Sequence, residues 1–325
     1  MSAELLYPPP QISPADSLRL SQQAPQVLKI SVSSSLPYPL SLLTSSETPE
    51  IWTTIENLLL SCLRTGDDKS ARVCLDRLTE RFGETNEKIL VLRGMYQEAF
   101  AEDNKALEKS LERYDKILEE DSTLMLVRKR RAALLKSMSR PTNAITTLVD
   151  LLDVSPTDVE AWAELSELYF AQSLYSQAIY CLEEVLLITP NAWSVHARLG
   201  EILYISSPSD SNSLKGLVES MRRFCRSIEL CDDYLRGYYG LKVSTKRLLS
   251  ELQTVSKSAL SDPQNGDLAP PSVKTVEKLN EAATRKLAEI VRRSTAGEAG
   301  WEGFDPAEVH ATRELVNKDT QTIDR

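Results

Sequence analysis

The sequence predicts an all-α protein, a row of stacked helical hairpins winding into a right-handed superhelix. Three observations lead there. Apolar residues recur at helical spacing through most of the chain, and alternating apolar–polar segments are scarce. Two segments stand in one register: Ala144, Leu148, Leu151 and Pro156 precede Ala178, Leu182, Val185 and Pro190 by 34 residues each. The 325 residues are 42% hydrophobic but only 6% aromatic and hold 11 glycines, which suits a helical array better than a β-sandwich.

The clearest hairpin spans 159–192. Trp162, Leu165, Tyr169 and Phe170 share its first helix, and Ala178, Ile179, Leu182, Val185 and Leu186 its second. Pro190 cannot continue the helix and closes the unit. With Val159 as position one, large residues fall at four, seven and eleven (Trp162, Leu165, Tyr169). Small ones fall at eight (Ser166) and twenty (Ala178), where two antiparallel helices must approach closely. This order resembles the tetratricopeptide repeat, whose period is about 34 residues. Trp162, Leu165, Ser166, Tyr169, Ala178, Leu182 and Pro190 are the expected packing set. If Trp162 is a core aromatic, Trp162→Ala should cost about 3–5 kcal/mol.

The other elements follow in chain order. Residues 1–48 form an N-terminal extension rich in Pro and Ser. Ser13-Pro14-Ala15-Asp16 opens a short helix, with Ser as N-cap, Pro at the first helical position and an acid in the first turn. Val27–Val32 alternates weakly and reads as extended chain. The repeat array runs over 49–257. Thr48-Pro49 starts a helix striped by Trp52, Ile55, Leu59 and Leu63 and ended by Gly66; its partner carries Ala71, Leu75 and Leu78 and stops at Gly83. A hairpin from Glu87 to Ser122 follows. The hairpin from Met125 keeps the register, but Arg128 and Arg131 fill positions four and seven, so its first helix should be rotated or its arginine stems should snorkel. The hairpin from Trp193 keeps Leu199, Gly200 and Leu203 and carries an insertion at 206–216. A helix over about 233–257 ends the array. Residues 258–272 are a linker by composition. Residues 273–325 hold an amphipathic helix, 273–293, then a polar tail with Trp301, Phe304 and a short helix after Asp305-Pro306. Each of about five hairpins buries its apolar face only by stacking on its neighbours.

No catalytic chemistry is visible. Two histidines and five cysteines without a Cys-x-x-Cys pair give no metal spacing, and no Gly-rich phosphate loop or nucleophile motif occurs. The segments outside the array are too short to build a pocket on a core of their own. The expectation is a non-enzyme without cofactor, metal or small-molecule substrate. A net charge of −9 argues against nucleic acid and anionic lipid as general partners. No apolar run approaches the roughly 20 residues of a membrane-spanning helix, and the N-terminus lacks the pattern of a secretory signal. Cysteines at apolar helical positions read as reduced and buried, and His196, at position four, as packed.

The candidate site is the inner face of the array. In tetratricopeptide repeats, positions two, five, six, nine, twelve and thirteen line the groove. In the hairpin from Met125 these include Lys129, Arg130 and Lys136; in the next they include Glu160, Glu164, Glu167 and Phe170. A cationic strip and an acidic strip would orient a partner segment by charge complementarity. The alternative is that these are solvated or mutually paired surface charges.

Several stretches resemble one family in particular, subunit 2 of the endoplasmic reticulum membrane protein complex: ARVCLDRLTERFG at 71–83, LERYDKILEEDSTLMLVRKRRAALLKS at 111–137 and DVEAWAELSELYFAQSLYSQAIYCLEEVLLITP at 158–190, within roughly 49–250. The resemblance implies a peripheral scaffold on the cytoplasmic face of the endoplasmic reticulum membrane. Its implied partners are the cytosolic parts of subunits 3 and 5 and subunit 8, in a complex that inserts tail-anchored and multi-pass proteins. The other reading is a soluble co-chaperone or adaptor that binds peptide segments, such as the acidic terminus of a heat-shock protein. That needs a clamp of Lys, Arg and Asn on successive repeats; Lys129 and Arg130 qualify, but Glu160, Glu164 and Glu167 would repel a carboxylate.

Overall fold

The computed structural model describes residues 3–8, 12–30, 48–207, 213–254, 271–301 and 303–323, and among them every regular element is a helix. The chain divides into two units, Met1–Val154 and Ser155–Arg325.

The first unit holds three short helices, α1 (Ala3–Leu6), α2 (Pro14–Ser21) and α3 (Ala24–Ile30). Three hairpins follow: α4 (Pro49–Thr65) with α5 (Asp68–Phe82), α6 (Glu87–Ala99) with α7 (Asn104–Glu120), and α8 (Met125–Ser137) with α9 (Pro141–Val154). Ser13 caps α2 as its sequence demands, accepting from the Asp16 amide at 3.1 Å. Gly66 ends α4 in the left-handed region at φ 72°, where a side chain would be strained. Thr48 stands at the N-cap of α4, but its side chain makes no capping bond.

The extended reading of 27–32 is corrected. Val27–Ile30 are the last turn of α3, and 31–32 lie outside the described residues. Six residues are too few to separate a period of two from one of 3.6. Packing decides instead, because Val27 and Leu28 contact the same core as Leu5, Leu20, Ile55 and Leu59. Two long-range bonds hold the N-terminal helices there: Asn57 Nδ2 donates to the Leu5 carbonyl and Arg77 Nη2 to the Leu28 carbonyl, each at 2.8 Å.

The second unit contains α10 (Val159–Ala171) with α11 (Tyr175–Ile188), α12 (Trp193–Ser206) with α13 (Ser213–Leu230), then α14 (Leu235–Thr254), α15 (Val273–Ala296) and α16 (Pro306–Ile323). Residues 208–212 of the insertion and 255–270 of the linker lie outside the described residues. The helix 273–293 pairs with α14, so that α14 and α15 form another hairpin. Between them Lys242 is buried, donating to Asn280 Oδ1 at 2.8 Å and Thr284 Oγ1 at 2.7 Å. The tail is more ordered than its composition suggests: Trp301 and Phe304 pack on the core of this unit, and α16 runs for 18 residues.

The register governs the close approaches. Ser166, at position eight, donates its hydroxyl to the Ala178 carbonyl at 2.9 Å, and one repeat on Ser220, at position twenty, donates to the Gly200 carbonyl at 2.7 Å. The same crossing is bonded twice, with donor and acceptor exchanged. Phe224 stands where Leu182 stands in the previous repeat. A Cβ on Gly200 would lie 3.2 Å from its ring, and one on Gly240 would overlap it, 2.6 Å from Cδ1.

Position four has its own rule. In three successive hairpins its side chain donates to the carbonyl six residues earlier, in the turn before the hairpin. Arg128 Nη2 reaches Ser122 O at 2.7 Å, Trp162 Nε1 reaches Pro156 O at 2.8 Å and His196 Nε2 reaches Pro190 O at 3.0 Å. Burial holds the His196 pKa below its ordinary value, and a carbonyl acceptor requires a proton on Nε2. The expected rotation of α8 is therefore unnecessary. Arg128 does what Trp162 does, and Arg131 turns inward to Asp115 at 2.6 Å and to Thr147.

Trp162 itself is half-buried, its ring edge-on to the exposed Tyr180 at a centroid distance of 6.0 Å. The cost of Trp162→Ala is therefore expected at about 2–3 kcal/mol, below the range for a fully buried aromatic. Trp162→Phe should recover most of it, leaving about 1 kcal/mol for the lost hydrogen bond. Urea unfolding of the two variants measures both. All five cysteines are free, and burial pushes the thiols of Cys62, Cys74 and Cys181 up to about 12.

Candidate functional site

The first helix of each hairpin carries the inner-face positions, and the two units use them differently. In the first unit Arg130, at position six of α8, turns to Glu98 on α6, with Nε 3.1 Å from Oε1. Tyr114 of α7 donates its hydroxyl to the same carboxylate at 2.6 Å. Three helices thus meet at one carboxylate whose side chain is 8% exposed. Burial opposes the charge on Arg130, but its hydrogen bond and attraction to Glu98 prevail and raise its pKa. Burial chiefly, then the Glu98 charge and the bond to it, raise that of Tyr114. Gly94 makes the arrangement possible, since a Cβ there would overlap the Tyr114 ring, 2.6 Å from Cζ. Lys129 is half-buried and Lys136 exposed on the same helix.

In the second unit a groove of about 1080 Å³ runs along α10, α12 and α14. Glu160, Glu164 and Glu167 line it, so the acidic strip counted from the register does come together. Its apolar lining includes Ala163, Val195, Tyr204, Ile205, Tyr239 and Val243. Glu308 and Ala311 of α16 complete it.

Arg198, which the sequence reading missed, organises the acidic side. Its Nε and Nη2 each donate to Glu167 at 2.7 Å, and Nη1 donates to Glu201 at 2.7 Å. Its guanidinium lies 4.4 Å from the centroid of the Phe170 ring. Phe170 is thus a platform for an arginine of its own chain. On α14, Arg236 donates to Glu308 at 2.7 Å. The signal for Arg198 was present, because it occupies position six, as Arg130 does two periods earlier. Among the described residues no group of three or more His, Cys, Asp or Glu side chains could hold a metal. None of the described helices is long and apolar enough to cross a membrane.

Stacked hairpins with small residues at the Ser166–Ala178 and Gly200–Ser220 crossings, a recurring donor at position four and a groove along the first helices define a tetratricopeptide-repeat protein. A family model described as the EMC2 TPR-like repeat domain matches residues 91–216. TPR repeat protein oca3 of Schizosaccharomyces pombe is 33% identical over 212 residues, 65% of this chain and 72% of that one. ER membrane protein complex subunit 2-A of Xenopus laevis is 30% identical over 208 residues, covering 64% and 67%. Subunit 2 of Saccharomyces cerevisiae is 27% identical over 201 residues, covering 60% and 69%. The chain belongs to the family of ER membrane protein complex subunit 2.

Proposed function

We propose that this chain is a scaffold subunit of the endoplasmic reticulum membrane protein complex, held at the cytoplasmic face of the membrane by its protein partners. The observation that carries the reading is family membership: the match to subunit 2 extends over about two thirds of both chains. The fold fits a scaffold, since stacked hairpins offer long surfaces and depend on no ligand for their core. The partners proposed are the cytosolic parts of subunits 3 and 5 and subunit 8, and the task supported is insertion of tail-anchored and multi-pass proteins. The co-chaperone reading is disfavoured by the groove itself, where Arg198 and Arg236 already hold carboxylates of this chain.

Affinity purification of the tagged chain from detergent-solubilised membranes tests the proposal. The expected result is co-purification of the membrane complex, with no flotation of the isolated chain on bare anionic liposomes. Recovery of soluble chaperones in place of membrane subunits would overturn it.

A further inference from the structure

We infer that the groove of the second unit receives an amphipathic helix with a basic rim, its apolar face seated on Val195, Tyr204, Ile205 and Val243. The inference deepens the scaffold reading by naming the chemistry of one partner segment.

The first ground is the charge of the lining. Five carboxylates (Glu160, Glu164, Glu167, Glu201 and Glu308) and two guanidiniums (Arg198 and Arg236) face the groove. Both guanidiniums are already engaged within it, Arg198 by Glu167 and Glu201, Arg236 by Glu308. An acidic segment would meet five carboxylates against two guanidiniums, of which Arg198 is mostly covered and Arg236, though 64% exposed, already holds Glu308. A basic one meets Glu167 and Glu201, whose side chains stay 46% and 50% exposed while bound to Arg198. Like charges set side by side in an interface are strongly disfavoured, so the lining selects the sign of the partner.

The second ground is the apolar strip between the charges. Ile205 points into the groove and is 44% exposed, on a helix whose Ile202 and Leu199 are fully buried. Tyr204 and Val243 flank it within the same lining. The third is size. A volume of about 1080 Å³ holds roughly 14 Å of a helix 10 Å across, or about nine residues. Nine residues present two to three turns, enough for one apolar face with basic residues on either side.

The test uses the full-length chain and three labelled 18-residue peptides: a helix with leucine on one face and lysine on the other, its scrambled sequence, and the same helix with glutamate for lysine. Binding is followed by fluorescence anisotropy at physiological salt. The leucine–lysine helix should bind at least ten-fold more tightly than either of the others. Ile205→Arg should weaken that binding at least ten-fold, whereas Leu187→Arg, at a 77% exposed position outside the groove, should leave it unchanged. Equal binding of the glutamate helix, binding undiminished in Ile205→Arg, or no binding would overturn the inference. A chain that still co-purifies with the membrane complex but ignores the leucine–lysine helix would sink this inference alone. A chain that fails to co-purify would sink the scaffold proposal, whatever the peptides do.

Discussion

Gly240→Ala should destabilise the second unit by about 2–3 kcal/mol, and Phe224→Leu in the same chain should restore most of the loss. In an ordinary helix interior the change from Gly to Ala stabilises, by about 1 kcal/mol. Here the added carbon falls on the ring of Phe224. The ring cannot retreat, because its other side is taken by Gly200, whose position is so close that a Cβ there would lie only 3.2 Å from the ring. Overpacking a filled site costs about 1–3 kcal/mol and occasionally more, and a ring held between two helices belongs at the upper end. Leucine at 224 is the residue the previous repeat uses, as Leu182, and it leaves room for the new methyl. The double-mutant cycle should therefore show a coupling of about 1–3 kcal/mol, with the double variant more stable than the sum of the two single effects. Urea unfolding of the four chains measures it. Additive effects would mean that the ring is not the obstacle.

Arg130→Met should cost the first unit about 3–5 kcal/mol. The substitution keeps the length and apolar stem of the side chain but leaves Glu98, 8% exposed, with the Tyr114 hydroxyl alone. Removing one member of a buried ion pair strands the other charge, which is costly because the carboxylate cannot recover its water. Arg130→Met combined with Glu98→Leu should recover much of the loss by removing the stranded charge. Arg130→Lys should recover less, since an ammonium cannot supply two parallel N–H donors. A loss under about 1 kcal/mol in Arg130→Met would show that the pair is effectively solvated. The result also bears on the cationic strip: Arg130 holds the fold together, so reversing it would damage the fold before it tested any partner.

What the sequence revealed and what it hid divide along a physical line. Features that depend on spacing within one hairpin were legible: Ser166 opposite Ala178, the stop at Pro190, the turns at Gly66 and Gly83, and the row Glu160, Glu164, Glu167 on one helix face. Features that depend on how hairpins rotate onto one another were not. Arg198 meets Glu167 across 31 residues, and Arg130 meets Glu98 across 32. No local pattern selects those partners from the many carboxylates at similar distance. Lys242 occupies position eight, counting from Leu235, where a small residue is expected, and only the facing Asn280 and Thr284 explain its burial. Trp162 was legible as an aromatic at position four, but its exposure was not, because that depends on how much of the turn before it covers the ring.

The clasp at position four tolerates a wide choice of side chain in the three hairpins that carry it. Its acceptor is a main-chain oxygen, which every residue type supplies, so half of the bond cannot be lost by substitution. Its donor has been a guanidinium, an indole and an imidazole within this one molecule. The vocabulary permitted at that position is therefore wide, although the geometry it enforces is narrow. These three hairpins can exchange the letter at that position and still stand in the same relation to the turn before them.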